Sequence, residues 1–147
     1  MNKYREMRDK HQKEVDAFPM FFAFNENQFE EGMKKLGLGP DDTDKIYKLG
    51  STGGFYRKTD AAAFREMFER QRQERADAIA ADKTGDGFIY DMFDYELGNH
   101  EYGYTRDIGP ALDALDLTVE EINADKRLLH GLNKARKEQA DWWDENN

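Results

Sequence analysis

The sequence contains no cysteine and a single serine, Ser51. The first absence removes disulfides, thiolate zinc sites, iron–sulfur clusters and cysteine nucleophiles together. The second, with no GxSxG or SxxK motif in the chain, argues against serine-nucleophile chemistry. Histidine is scarce too: His11, His100 and His130 form no HExxH or comparable ligand set. No apolar run approaches the roughly 18 residues of a membrane-spanning helix, and Met1-Asn2-Lys3-Tyr4-Arg5-Glu6 lacks an apolar h-region. The expectation from these absences is a soluble protein of the cytoplasm.

Basic residues are scarce in one stretch only. Residues 1–81 hold 15 basic and 15 acidic side chains, and residues 122–147 hold five of each. Residues 82–121 hold two basic side chains against eleven acidic ones, so the formal charge of −9 sits in that segment. A sequence pI near 4.9 opposes phosphate binding unless cations gather on one face, which sets direct nucleic-acid binding aside. The charged fraction of 36% leans towards disorder, but 13% aromatic residues point the other way, to an aromatic core under a charged surface. A chain of 147 residues is the usual size of one domain, so residues 1–147 are read as one.

Tyr4, Met7, His11, Val15 and Phe18 recur at three- and four-residue spacing, which predicts a helix over 3–17 ended by Pro19. Met20–Phe24 is a short apolar run typical of a buried strand. Asn25 or Asn27 then offers a cap for a helix striped by Phe29, Met33 and Leu36, with Gly37 after its end. Lys45–Leu49 and Phe55–Lys58 are predicted strands joined through Gly50-Ser51-Thr52-Gly53-Gly54. Helices follow from Thr59 or Asp60 to Ala81, over 88–101, from Thr105 or Asp107 to Leu115, and from the Thr118-x-x-Glu121 capping box to about Trp143. The order predicts an α+β fold: a small three-stranded antiparallel sheet packed against several helices, with a helical C-terminal half.

Four motifs carry chemistry, each beside a structural alternative. Asp82-Lys83-Thr84-Gly85-Asp86-Gly87 resembles the start of an EF-hand loop, with Asp82, Thr84 and Asp86 as cation ligands. Its twelfth position is Phe93 instead of a bidentate Glu, and a plain turn between two helices explains the same residues. Glu96 and His100, four apart, fall within the apolar sector of their helix. They can serve as metal ligands or a general acid/base pair, with Glu101 nearby, or as a buried pair holding the Gly98-Asn99 turn. The Gly50–Gly54 loop is a phosphate cradle or, since it joins two strands, a hairpin tip. Residues 111–122 have the outline of a helix-turn-helix, but Val119-Glu120-Glu121 at the start of the second helix would repel phosphate. An αα-corner with Leu112, Leu115, Leu117, Ile122 and Leu129 in the core is expected there.

Phe22-Ala23-Phe24-Asn25-Glu26-Asn27-Gln28-Phe29-Glu30-Glu31-Gly32-Met33, Gly53-Gly54-Phe55-Tyr56-Arg57-Lys58 and Tyr95-Glu96-Leu97-Gly98-Asn99-His100-Glu101-Tyr102-Gly103-Tyr104-Thr105, taken together, resemble small acidic proteins of bacteriophages and mobile elements. That resemblance carries no catalytic residues. It implies an accessory protein of the class that includes anti-CRISPR and other inhibitors of host defence. The expectation is a non-catalytic protein without cofactor that binds the basic nucleic-acid groove of a host defence protein. Asp91, Asp94, Glu101, Asp107, Asp113, Asp116, Glu120 and Glu121 are the candidate partner-binding residues, and Trp142-Trp143 a candidate anchor. The rival for those carboxylates is a solvated acidic face. Alternatives for the whole chain are a metal-assisted enzyme or calcium-binding protein using Glu96, His100 and Glu101 or the Asp82–Asp86 loop, and a self-associating structural or regulatory protein.

Overall fold

The structure, a computed structural model, describes residues 1–147. Its elements are α1 (Lys3–Ala17), β1 (Met20–Phe22), α2 (Glu26–Lys35), β2 (Ile46–Leu49), β3 (Gly54–Arg57), α3 (Ala61–Ala81), α4 (Phe88–Asn99), α5 (Tyr102–Thr105), α6 (Gly109–Leu115), α7 (Val119–Asn123) and α8 (Lys126–Asn146). The α+β class, the three antiparallel strands and the helical C-terminal half are those expected from the sequence. The chain forms two compact units, Gln12–Arg72 and Met1–His11 with Gln73–Asn147.

In the Gln12–Arg72 unit the sheet order is β1-β3-β2, and Phe21 pairs with Phe55 while Tyr47 pairs with Tyr56. Strand alternation therefore sorts the rings onto two faces. On one, Phe21 and Phe55 stack with centroids 5.3 Å apart and meet Phe29 and Met33 of α2 and Leu36 at its C-cap. Asn25 caps α2 by accepting the Gln28 N–H at 2.8 Å, as its sequence position predicts. Gly32, in mid-helix, faces the Phe21 ring so closely that a Cβ there would collide with it. The hairpin loop is closed by its own groups: Thr52 N–H and Oγ1 donate to the Leu49 carbonyl at 3.1 and 2.7 Å, and Gly54 N–H donates to Thr52 Oγ1 at 3.2 Å. Those amides serve the turn, as a hairpin tip requires.

In the other unit α4 supplies Ile89, Met92, Phe93 and Leu97 to a core completed by Tyr4, Tyr102, Leu112, Leu115, Ile122 and Leu132. Leu117 and Leu129 pack against its edge, so the α6–α7 corner is as expected. Gly131 lets α8 approach α4: a Cβ would lie 2.6 Å from Ile89 Cγ2 and 2.8 Å from the Gly85 carbonyl oxygen. Three boundaries differ from expectation: the helix predicted over 88–101 ends at Asn99 with α5 separate after it, Ile108 and not Thr105 or Asp107 precedes α6, and the last predicted helix is broken. The Thr118–Glu121 capping box forms, but it opens the short α7, not the long last helix. Asp125 starts α8 as a second cap, accepting the Arg127 N–H at 3.0 Å. The Arg127 guanidinium holds that break, donating to the Ile79 and Asp82 carbonyls at 2.8 and 2.6 Å and to both Asp125 carboxylate oxygens.

Candidate functional site

The predicted cation ligands are occupied with one another, with the backbone or with side chains of α8. Asp82 accepts four main-chain N–H groups, from Thr84 at 3.2 Å, Gly85 at 2.9 Å, Gly87 at 3.0 Å and Ile89 at 3.0 Å. Burial opposes ionisation of this carboxyl, but the four amides outweigh it and hold its pKa below the ordinary value. Thr84 Oγ1 lies 3.4 Å from Asp82 Oδ1 and accepts the Asp86 N–H. Asp86 turns to His130 at 2.7 Å and Lys134 at 3.4 Å on α8, which lower its pKa. Phe93, at the loop's twelfth position, is fully inside the core. The segment is a turn whose carboxylate gathers amides at the start of α4.

Glu96 is 2% exposed and accepts a hydrogen bond from the Tyr4 hydroxyl at 3.0 Å through Oε2. Its Oε1 has no hydrogen-bond partner. Burial and then the Glu96 carboxylate push the Tyr4 phenol pKa well above its ordinary value. His100 faces elsewhere: its Nδ1 lies 2.8 Å from the Glu96 main-chain oxygen, so the ring closes the end of α4 through the backbone. No group of three or more His, Asp or Glu side chains converges to hold a metal ion.

The eight predicted acidic partner-binding residues divide in two. Asp91 accepts the Lys3 N–H at 2.9 Å, Asp94 accepts Gln139 Nε2 at 2.9 Å, Asp107 accepts the Gly109 N–H at 2.8 Å, and Glu121 completes the α7 capping box. Glu101, Asp113, Asp116 and Glu120 are exposed. The helical wheel sets Asp91 and Asp94 on the solvent face, yet both are half-buried, because the chain start covers one and α8 covers the other. Desolvation raises the Asp94 pKa, with Glu138 and Asp91 adding to it against the Gln139 bond.

What the structure brings together lies at the far end of α4. The chain reverses through Glu101, which takes a left-handed backbone (φ 59°), and α5 lays Gly103 against α8. A Cβ at Gly103 would stand 2.9 Å from Trp143 Cβ, so glycine is what allows this contact. The result is a cleft of about 430 Å³ walled by Glu101, Gly103, Tyr104, Gln139, Trp142 and Trp143. The Tyr104 ring sits 5.6 Å from that of Trp143, and Tyr104 and Trp142 remain 70% and 61% exposed. Trp142 also borders an adjoining hollow of similar volume with Asp94, Glu138 and Gln139. The charged residues of both are carboxylates: Glu101 in the first, Asp94 and Glu138 in the second. Tyr90 donates its hydroxyl to Glu138, which places that carboxylate. Exposed indole and phenol faces beside carboxylates bind the aliphatic stem and charged head of Lys or Arg, through cation–π attraction and ion pairing. The sequence points to Glu101, Asp94 and the two tryptophans; it does not single out Tyr104, Gln139 or Glu138. Gly103 beside Tyr104 was the available signal, since a glycine in a helical turn marks close backbone approach.

The chain belongs to the family of unknown function DUF7659. The family's profile matches residues 3–138, which include Asp94, Glu101, Tyr104 and Glu138, while Gln139, Trp142 and Trp143 lie beyond the matched stretch. No curated protein and no solved structure matches the chain.

Proposed function

We propose that this is a non-catalytic binding protein that engages a basic segment of a partner protein through the Tyr104–Trp142–Trp143 cleft and the carboxylates around it. The observation that carries the reading is the pairing of two largely exposed rings, Tyr104 and Trp142, with a lining whose charges are all negative. An exposed Trp on a helix is costly to solubility and is the residue most often found as an interface anchor. The exposed Asp113, Asp116 and Glu120 extend the same sign along α6 and α7, giving long-range attraction to a basic partner. Together with the resemblance to small phage proteins, this chemistry favours a bacterial host partner with a nucleic-acid groove, in which Lys and Arg set for phosphate accept ordered carboxylates instead. The protein then acts as an inhibitor of a host defence complex, in the manner of an anti-CRISPR.

The test uses an arginine-rich peptide as probe, titrated calorimetrically into the full chain. Binding is expected to weaken at least about tenfold in Trp142→Ala and in Glu101→Lys, and to fall with added salt. A triple charge reversal at Asp113, Asp116 and Glu120 slows association more than it speeds dissociation. Asp91 and Asp94 are unsuitable for this test because their carboxylates hold the fold. Equal affinity in wild type, Trp142→Ala and Glu101→Lys refutes the assignment. Capture of a host protein by the wild type but not by these two variants identifies the partner.

A further inference from the structure

The net negative charge leads the sequence to set direct nucleic-acid binding aside, but the Gln12–Arg72 unit carries a surface of the opposite character. The sheet face away from Phe21 and Phe55 bears Tyr47 and Tyr56, direct partners across β2 and β3, with ring centroids 5.8 Å apart. Phe64 of α3 stacks on Tyr56 at 4.4 Å and 6° between planes, and Phe68 packs edge-on to Phe64 at 4.9 Å. These four rings line a cleft of about 570 Å³ whose other residues include Lys48, Arg65 and Arg72, against one acid, Glu69. Arg57 and Arg70 of this unit are paired with Asp60 and Glu14, whereas Lys48, Arg65 and Arg72 have no carboxylate partner. Tyr47 is 45% exposed, and the Lys58 ammonium stands 5.3 Å over its ring.

We infer that this cleft is a binding site for single-stranded nucleic acid. Flat aromatic faces interleaved with cations are what a single strand requires, since each base has a π-face to stack and each phosphate a charge to neutralise. Tyr47 is the stacking ring and Arg65 and Arg72 the phosphate contacts, Arg presenting a planar fork that matches phosphate oxygens. Duplex is a poor ligand for the same site, because its bases are stacked on each other and only its phosphates are offered. With a whole-chain charge of −9 no general attraction draws a polyanion to this protein, so affinity depends on stacking. This inference is independent of the cleft proposed for the basic partner.

The experiment is fluorescence anisotropy of a labelled oligothymidylate of about ten nucleotides, within the usual span of such sites, titrated with the full chain at low salt. Saturable binding is expected, weakened about tenfold or more by Tyr47→Ala and by the double variant Arg65→Glu with Arg72→Glu, restored by Tyr47→Phe, and unchanged by Trp142→Ala. Circular dichroism melts of each variant control for folding; the two arginines are exposed on a helix, so their double variant supplies the answer if Tyr47→Ala unfolds. The proposal is overturned by no saturation at low-millimolar protein, by equal binding of a duplex, or by wild-type affinity in the arginine double variant. It is also overturned if a tyrosine-containing polyglutamate peptide binds there and the oligonucleotide does not, which assigns the cleft to an acidic protein segment.

Discussion

Replacing Asp82 by alanine removes the acceptor at the centre of the turn between α3 and α4. Of the four amides it holds, those of Thr84 and Gly87 belong to exposed residues and recover water when the carboxylate is lost. Those of Gly85 and Ile89 belong to buried residues, and the Ile89 N–H is a first-turn amide that α4 cannot satisfy internally. A hydrogen bond to a charged acceptor contributes about 1.5–3 kcal/mol net, reduced where solvent reaches it, so two shielded bonds give a loss of about 2–4 kcal/mol. Asparagine keeps one acceptor oxygen and should lose about half as much. Urea unfolding followed by far-UV circular dichroism measures both. The pH dependence supplies a second check. A carboxyl whose folded pKa is depressed stabilises fully above its unfolded pKa of about 3.9, and that stabilisation disappears as pH falls through the folded pKa. The gap between wild type and Asp82→Asn is therefore full at neutral pH and closes below about pH 4. An alanine variant within about 0.5 kcal/mol of wild type, or an asparagine gap that persists in acid, contradicts the role assigned to this turn.

Three other perturbations test the packing. Tyr4→Phe strips Glu96 of its only hydrogen-bond donor and should cost about 1–3 kcal/mol in urea unfolding, whereas adding Glu96→Met to it should recover most of that loss, because removing both polar partners avoids a buried orphan. The raised Tyr4 pKa has the opposite pH sense to Asp82: its contribution is complete below the model-peptide value of about 10 and is lost as pH rises above it, which alkaline melts can follow. Gly32→Ala gains about 1 kcal/mol of helix propensity but drives a methyl into the Phe21 ring, an overpacking cost of about 1–3 kcal/mol, so the net change is destabilising and a rise in melting temperature would refute the close contact. Arg127→Met leaves the Asp82 carbonyl without its donor, while the Ile79 carbonyl keeps the Asp82 N–H, and should lower stability by about 1–2 kcal/mol, with Arg127→Lys intermediate because one ammonium cannot reproduce the fork.

Where an element's signals are local, its sequence announces it. The apolar spacing from Tyr4 to Phe18 with Pro19 behind it gives α1, and Asn25 with the Phe29–Met33–Leu36 stripe gives α2. The Thr118–Glu121 box is equally local and forms, although the helix it opens is the short α7. Asp125 carries no such signal, because the residue three places on is Leu128 and the reciprocal half of a capping box is absent. Its strength as a cap comes from Arg127, whose guanidinium reaches carbonyls 45 and 48 residues earlier in the chain. A helix boundary fixed by a tertiary contact is invisible to periodicity.

The same distinction governs the charges. Counting places the excess of −9 in residues 82–121, but counting cannot tell a carboxylate that faces water from one that serves as an acceptor. The Glu121 and Asp107 carboxylates accept amides three and two residues away, from Thr118 and Gly109, and a cap motif discloses that kind of use. Asp91 and Asp94 find their donors in Lys3 and Gln139, 88 and 45 residues distant, and a helical wheel of α4 alone puts them in solvent. What is left for a partner is smaller and more specific than the net charge: Glu101, Asp113, Asp116 and Glu120, with Glu101 set at the lip of an aromatic cleft by a left-handed backbone residue and a glycine. If charge density alone carried recognition, reversing any of these four would weaken a basic peptide alike. The geometry instead requires Glu101→Lys to cost the most, because it alone stands beside exposed rings that exclude water from an ion pair and so strengthen it.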